Sequence, residues 1–187
     1  MYKGIIIFGT MGSGKDVLGE AIIKQLYTAK VFKIGKYIRK LGDLFGGARE
    51  DYQNIGEGVR EKVSIDIWNK ITETEIDTAL AEIWNLYPMI CDGRQTHEFE
   101  YWNNRGYLTV GITAPLDIRR DRLQNRDGYL PSDQAFMHDT EIRAHYVATQ
   151  LCKILIENDT NELEDLDVAA HGVVNIIKKG WGFVRWS

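Results

Sequence analysis

With 187 residues the chain is long enough for one α/β domain with a substantial core, and no composition shift or Pro/Ser-rich stretch marks a second. Hydrophobic residues make 44% and charged residues 27%, and the formal net charge of −4 gives no broad cationic field for a nucleic-acid backbone, which argues against duplex binding. The first apolar run, Ile5 to Phe8, is too short to span a bilayer or serve as a signal segment, and no basic targeting stretch precedes it, so a cytoplasmic protein is expected.

Gly4-Ile5-Ile6-Ile7-Phe8 runs into a glycine cluster, the pattern of a strand buried on both faces of a parallel sheet. Beyond the glycines, Val17, Leu18, Ala21, Ile22 and Leu26 recur at helical spacing, with Glu20, Lys24 and Gln25 left for the outer face. Ala29 to Ile34 reads as a second strand. A short helix carrying Tyr37, Ile38 and Leu41 follows, then a loop around Gly46 and Gly47 that is a candidate substrate rim. Ile55, Val59, Val63, Ile67 and Ile71, spaced four apart, predict one face of a long helix, and Ile76, Leu80 and Ile83 that of the next. Apolar runs at Tyr87 to Cys91, Tyr107 to Ile112 and Lys153 to Ile156 bring the strand count to five. Leu163, Leu166, Ala170, Val173, Val174 and Ile177 predict a last helix over 162–178, capped by Asn161 or Thr160. Cys91 and Cys152, in or beside apolar runs, read as reduced core thiols, and Trp181, Phe183 and Trp186 as a tail folded back onto the domain. Strands alternating with helices predict a five-stranded parallel sheet with helices on both faces, whose ligand crevice lies at the carboxyl ends of the strands.

Gly9-Thr10-Met11-Gly12-Ser13-Gly14-Lys15-Asp16 fits G-x-x-x-x-G-K between the first strand and an amphipathic helix. Such glycines let backbone N–H groups converge on an anion, the helix start adds partial positive charge, and Lys15 adds a full one at the β/γ-phosphates of ATP. Gly9, Gly12, Ser13, Gly14, Lys15 and Asp16 are therefore expected to hold the phosphates. Asp16 stands where Ser or Thr usually binds Mg²⁺; a carboxylate is also a ligand for that ion, and it brings negative charge to the phosphates.

Asp92 falls just after the run that ends at Cys91, which puts a carboxylate at the sheet's edge beside this loop, where a metal-binding acid or a base belongs. The structural alternative is a strand-end residue opening a turn with Gly93. Arg94 is suited to fork an acceptor phosphate and Gln95 to read a base or sugar edge, while Arg39 and Arg60 face the crevice from the other side or are ordinary surface charge. Arg119, Arg122 and Arg126 fall on one helix face before the Asp127-Gly128 turn. They either close over a transferring phosphoryl group or are neutralised by Asp117, Asp121 and Asp127.

The first motif together with Asp92-Gly93-Arg94-Gln95 resembles phage-type deoxynucleoside monophosphate kinases, within the P-loop nucleoside and nucleotide kinases. Gln53-Asn54-Ile55-Gly56 leading to Arg60 and Ile67-Trp68, the His138-Asp139-Thr140-Glu141 cluster, and Ile156-Glu157-Asn158-Asp159 extend the likeness loosely along nearly the whole chain. Gly35-Lys36-Tyr37-Ile38-Arg39 is similar to the acceptor-phosphate stretch of nucleoside monophosphate kinases, with Lys36 in place of the usual acid. The resemblance implies a single P-loop kinase domain over 1–187, with a helical acceptor lobe at about 36–72 and a short metal-free lid at about 119–138. It also implies phosphoryl transfer from Mg²⁺-ATP, with Lys15, Asp92, Arg122 and Arg126 as catalytic residues, Arg119 on the ATP phosphates, and Arg39, Arg60, Arg94 and Gln95 on the acceptor. Asp16 and Asp92 are the metal candidates. His138 reads as a helix cap or a substrate contact. Thr113-Ala114-Pro115 before the arginine helix also resembles dephospho-coenzyme A kinase, so a kinase of another small phosphorylated acceptor stays open, as does a nucleotide-binding regulator. The expected partners are small-molecule nucleotides, neither nucleic acid nor membrane, with a homodimer left open.

Overall fold

The computed structural model describes residues 2–45, 49–179 and 184–186. Strand β1 (Ile5–Phe8) is fully buried, and its successive side chains feed two cores. Ile5 and Ile7 pack on one face with Leu18 and Ile22 of helix α1 (Lys15–Gln25) and with Val173 and Ile177 of helix α9 (Leu163–Lys179). Ile6 and Phe8 pack on the other face with Trp68, Ile76 and Trp102. Continuous apolarity in so short a strand is what burial on both faces requires.

The predicted strands are present as β1, β2 (Ala29–Phe32), β3 (Tyr87–Gly93), β4 (Leu108–Thr113) and β5 (Ile154–Glu157), all parallel and covered by helices on both faces. The tail adds β6 (Val184–Trp186) parallel to β5, giving the order β2-β3-β1-β4-β5-β6. Chain connections diverge to opposite sides of β1, so the crevice opens at the carboxyl ends of β1, β3 and β4. The register of β1 with β3 slips between Ile6 and Phe8, where β3 carries an extra residue. Such a bulge re-aims the side chain beside it, and Asp92 is that neighbour.

Several expectations are corrected. β2 stops at Phe32 because the next N–H groups, of Ile34 and Gly35, donate to the Asp92 carboxylate instead of a sheet partner. The long helix predicted through Val63 is two helices, α3 (Arg49–Lys62) and α4 (Ile67–Glu82), leaving Val63 and Ile65 exposed. Ser64 breaks the run: its hydroxyl accepts from Asp66 N–H at 3.3 Å, a local bond that competes with the helix. No separate helix begins at Ile76. α4 runs straight through and buries Trp68, Asn69, Thr72, Ile76 and Ala79, while Leu80 and Ile83 lie outside. Polar residues sit on the buried face because they are paired there, Asn69 Oδ1 accepting from Trp102 Nε1 and Thr72 Oγ1 donating to the Trp68 carbonyl. Val17 and Leu163 are likewise exposed members of faces predicted to be apolar contacts. Gly46, Gly47, Trp181 and Phe183 lie outside the described residues.

The remaining helices are α2 (Lys36–Asp43), α5 (Thr96–Asn104), α6 (Leu116–Asp127), α7 (Asp133–Phe136) and α8 (Asp139–Tyr146), the last running into a π-helical turn at Val147–Leu151. Among the described residues, no helix is long and apolar enough to cross a membrane. Trp102 of α5 is wholly buried, with its ring edge-on to Tyr107 at 4.8 Å. Trp102→Ala should therefore lower unfolding free energy by about 3–5 kcal/mol in urea titrations, and a loss below about 1 kcal/mol would show that this core does not carry the sheet.

Candidate active site

The loop after β1 lies between the ends of β3 and β4, and its shape depends on residues without side chains. Gly14 has φ of 103°, and a Cβ there would come within 2.4 Å of Asn158 Nδ2, which itself donates to Ser13 O at 2.8 Å. Gly14 is also the N-cap of α1 and gives it no side-chain cap, so the first-turn N–H groups are open to an anion. Lys15, only 8% exposed, folds back over the loop and donates from Nζ to the carbonyls of Gly9 and Thr10 at 2.8 and 2.7 Å. Asp16, beside it on α1, pairs with Lys33 at 3.0 Å and is largely exposed.

A cleft of about 1120 Å³ joins this loop to a wall of cationic side chains, among them Arg39, Arg60 and Arg94. Each of the three has a carboxylate behind it. Asp92, whose two oxygens accept from Ile34 and Gly35 N–H at 2.8 and 2.9 Å, lies 3.8 Å from Arg39. Buried Glu98 accepts from the backbone N–H groups of Arg94 and Gln95 and pairs with Arg60 at 3.4 Å. Burial raises the Glu98 pKa, while Arg60 and those two N–H groups pull it back. Glu141 of α8 takes Arg94 Nη1. Gln95 is nearly buried, and its side chain accepts from Glu98 N–H at the start of α5.

Arg119, Arg122 and Arg126 of α6 do three different things. Arg122 is spread over the carbonyls of Gly12, Asn158 and Thr160 and the side-chain oxygens of Asn158 and Asn161, which ties α6 to the phosphate loop and to the segment after β5. Arg126 is exposed and forks Asp127, with bonds of 2.6 and 2.7 Å. Arg119 lies over the Phe136 ring, and its Nε and Nη1 are buried with no partner among the described residues. Predicted site residues thus line one cleft, except Gly9, Ser13 and Arg119, which stand behind its lining.

Glu98 and Lys33 line the cleft although the residue patterns did not single them out, and Asn158, also on the lining, and Glu141, behind it, stood in segments that carried the family likeness without a role being given to them. Glu98 alone carried a local signal, three residues after Gln95 at a helix start. His138 is the N-cap of α8, its Nδ1 accepting from Thr140 N–H. Among the described residues no group of three or more His, Cys, Asp or Glu forms a metal centre.

The profile of the family AAA_18, described as an AAA domain, matches residues 5–144. The chain belongs to that family. Among curated proteins none matches it. Solved structures show the fold to be that of P-loop kinases. A gluconokinase from Sinorhizobium meliloti 1021 superposes with a TM-score of 0.60 at 16% identity, covering 95% of each chain. TT1252 from Thermus thermophilus gives 0.61 at 23% identity, covering 94% of this chain and 98% of that one. A shikimate kinase from Bacteroides thetaiotaomicron gives 0.55 at 19% identity, covering 95% and 99%.

In this AAA domain protein the bonding of Arg122 separates it from Arg126. Arg122→Ala strands several carbonyls and is expected to lower stability by about 1–3 kcal/mol, whereas Arg126→Ala, at an exposed pair, should stay within about 0.5 kcal/mol. Thermal and urea unfolding of both variants measure this, and equal losses would contradict the bracing role.

Lys15 supplies a second expectation. Burial pushes its pKa down to about 7 and Arg94 adds to the fall, while Glu141, Asp16 and Asp92 oppose it. Because the unfolded chain binds the extra proton above that pH, the unliganded fold gains stability as pH rises from about 7 towards the ordinary lysine value. A bound triphosphate favours the ammonium form, so binding should take up as much as one proton at pH 8, and affinity should fall by up to about tenfold per pH unit there. Calorimetry of ATP in buffers of different ionisation enthalpy reads the proton directly; none taken up at pH 8 would show that Lys15 is already charged.

Proposed function

We propose that this protein transfers the γ-phosphoryl group of Mg²⁺-ATP to a deoxynucleoside monophosphate, giving the diphosphate and ADP. The observation that carries the reading is one cleft lined both by the uncapped start of α1 with Lys15 and by the guanidiniums of Arg39, Arg60 and Arg94. Two groups of anion-binding donors in one cleft suit a reaction whose catalysis is chiefly positioning and charge stabilisation.

The β- and γ-phosphates would take the N–H groups of the glycine loop and the Lys15 ammonium, which leaves its carbonyl partners when a stronger acceptor arrives. The acceptor phosphate would lie against Arg39, Arg60 and Arg94, with Ile38 and Tyr52 on the same wall for the base. Residues 36–72 then act as acceptor lobe and 119–138 as lid within a single domain over 1–187. Arg126, free to exchange the exposed Asp127 for phosphate, would cover the transferring group, while Arg119, behind the cleft wall, would reach it only after moving from its buried position. Arg122 acts through the loops it binds, as a positioning residue.

Asp16 and Asp92 fit a Mg²⁺ ion that arrives with ATP, since two carboxylates on the cleft wall leave most of an octahedral shell to phosphate oxygens and water. The ion would neutralise charge between the β- and γ-oxygens. Asp92 keeps lone pairs beyond those facing Ile34 and Gly35, so it is also placed to accept a proton from the acceptor.

The test is kcat/KM for matched deoxy- and ribonucleoside monophosphates and for dephospho-coenzyme A, with Lys15→Ala as donor-site control. The deoxynucleotide is expected to be the best acceptor, and folded Lys15→Ala should lose at least about 10²-fold in ATP-dependent turnover. Dephospho-coenzyme A as the best acceptor would overturn the acceptor assignment, and unchanged ATP affinity in Lys15→Ala the donor site.

A further inference from the structure

Glu141 is 3% exposed and does not line the cleft, yet both groups it binds do. Its Oε2 accepts from Met11 N–H, in the phosphate loop, at 2.7 Å, and its Oε1 accepts from Arg94 Nη1. Three distant chain segments therefore meet on one carboxylate. The start of α8 holds that carboxylate in place, because His138 caps the helix one turn before it.

A buried carboxylate is retained only with partners, and here the partners come from two different segments that both line the cleft. Met11 belongs to the donor loop and Arg94 to the acceptor wall. The bond to Glu141 uses Nη1 of Arg94 and fixes the guanidinium plane, leaving its other donors for an anion in the cleft. Lys15 and Arg119 also feel the Glu141 charge, which raises the pKa of each against the effect of burial.

We infer that Glu141 is a positioning residue that sets the acceptor-side Arg94 in register with the phosphate loop, so that the two substrates bind with positive coupling. The inference rests on the phosphotransfer reading above and adds a link between its two halves. An acceptor phosphate that aligns Arg94 also fixes Glu141, and through Met11 N–H it steadies the loop that receives ATP; ATP, by the same link, favours the acceptor. The link is purely local, two hydrogen bonds on one rigid carboxylate, and requires no lid movement.

A double-mutant cycle tests it. Glu141→Gln, Arg94→Ala and the double variant are compared with the unmodified protein for kcat/KM towards deoxythymidine monophosphate and for the KM of ATP. Glu141→Gln should lower acceptor kcat/KM about tenfold and, by reciprocity, raise the KM of ATP at saturating acceptor about fivefold while leaving ATP affinity without acceptor changed less than about threefold, and the double variant should be no worse than Arg94→Ala alone. The effect of ATP on deoxythymidine monophosphate affinity should shrink at least about fivefold in Glu141→Gln. Multiplying losses, or unchanged constants per folded molecule, would overturn the inference. If Glu141→Gln does not fold, Glu141→Asp takes its place in the same cycle, keeping the charge while shortening the reach. Amide exchange at Met11 is followed separately: faster exchange in the Glu141 variant supports the link and unchanged exchange removes it. That readout stands even if the unmodified protein turns over no acceptor, an outcome that would instead sink the phosphotransfer reading.

Discussion

The N-terminus of α1 is left without a side-chain cap, and the rest of the site follows from that unsatisfied set of N–H groups. Gly14 can occupy its left-handed conformation and accept Asn158 against it only because it lacks a Cβ. Lys15, the first residue of the helix, is buried and takes carbonyls of its own loop as partners, not a carboxylate. Amides, helix dipole and ammonium thus point at one place, and nothing with a full negative charge is fixed there by the loop itself.

Around this centre the protein uses carboxylates as scaffolding. Asp92 ends β2 and starts the α2 segment by taking two N–H groups, Glu98 closes the start of α5, and Glu141 joins the donor loop to Arg94. Each holds backbone with one part of its hydrogen-bonding capacity and aims an arginine with another. The cationic wall is thereby rigid before any ligand arrives, which is what electrostatic preorganisation demands. The same arrangement means that replacing these acids changes geometry first and charge second, so their effects will be shared between binding and turnover.

What could be read from the sequence was what is local. The phosphate loop occupies consecutive residues between a strand and a helix, and Asp92, Arg94 and Gln95 lie at or just past the end of β3, so residue pattern placed them near one another. The break between α3 and α4 escaped because the apolar spacing continues through Val63 while a single serine hydroxyl captures the backbone. Asn158 and Glu141 stood in segments that carried the family likeness, but their roles escaped for a different reason: their bonds span 145 and 130 positions, and no periodicity reports such a partner. Arg119, Arg122 and Arg126 looked equivalent on one face of α6, yet one is bound to carbonyls, one to a neighbouring aspartate and one to neither. Their difference lies in what the fold brings opposite them.

We propose that the cleft passes a phosphoryl group between two bound anions and does not merely bind nucleotide. A single-turnover reaction of the protein with γ-labelled ATP, Mg²⁺ and a deoxynucleoside monophosphate, with products separated by chromatography, tests it most directly. The account predicts label in the nucleoside diphosphate, matched one for one by ADP. Label that remains in ATP, or appears only as inorganic phosphate, would contradict it.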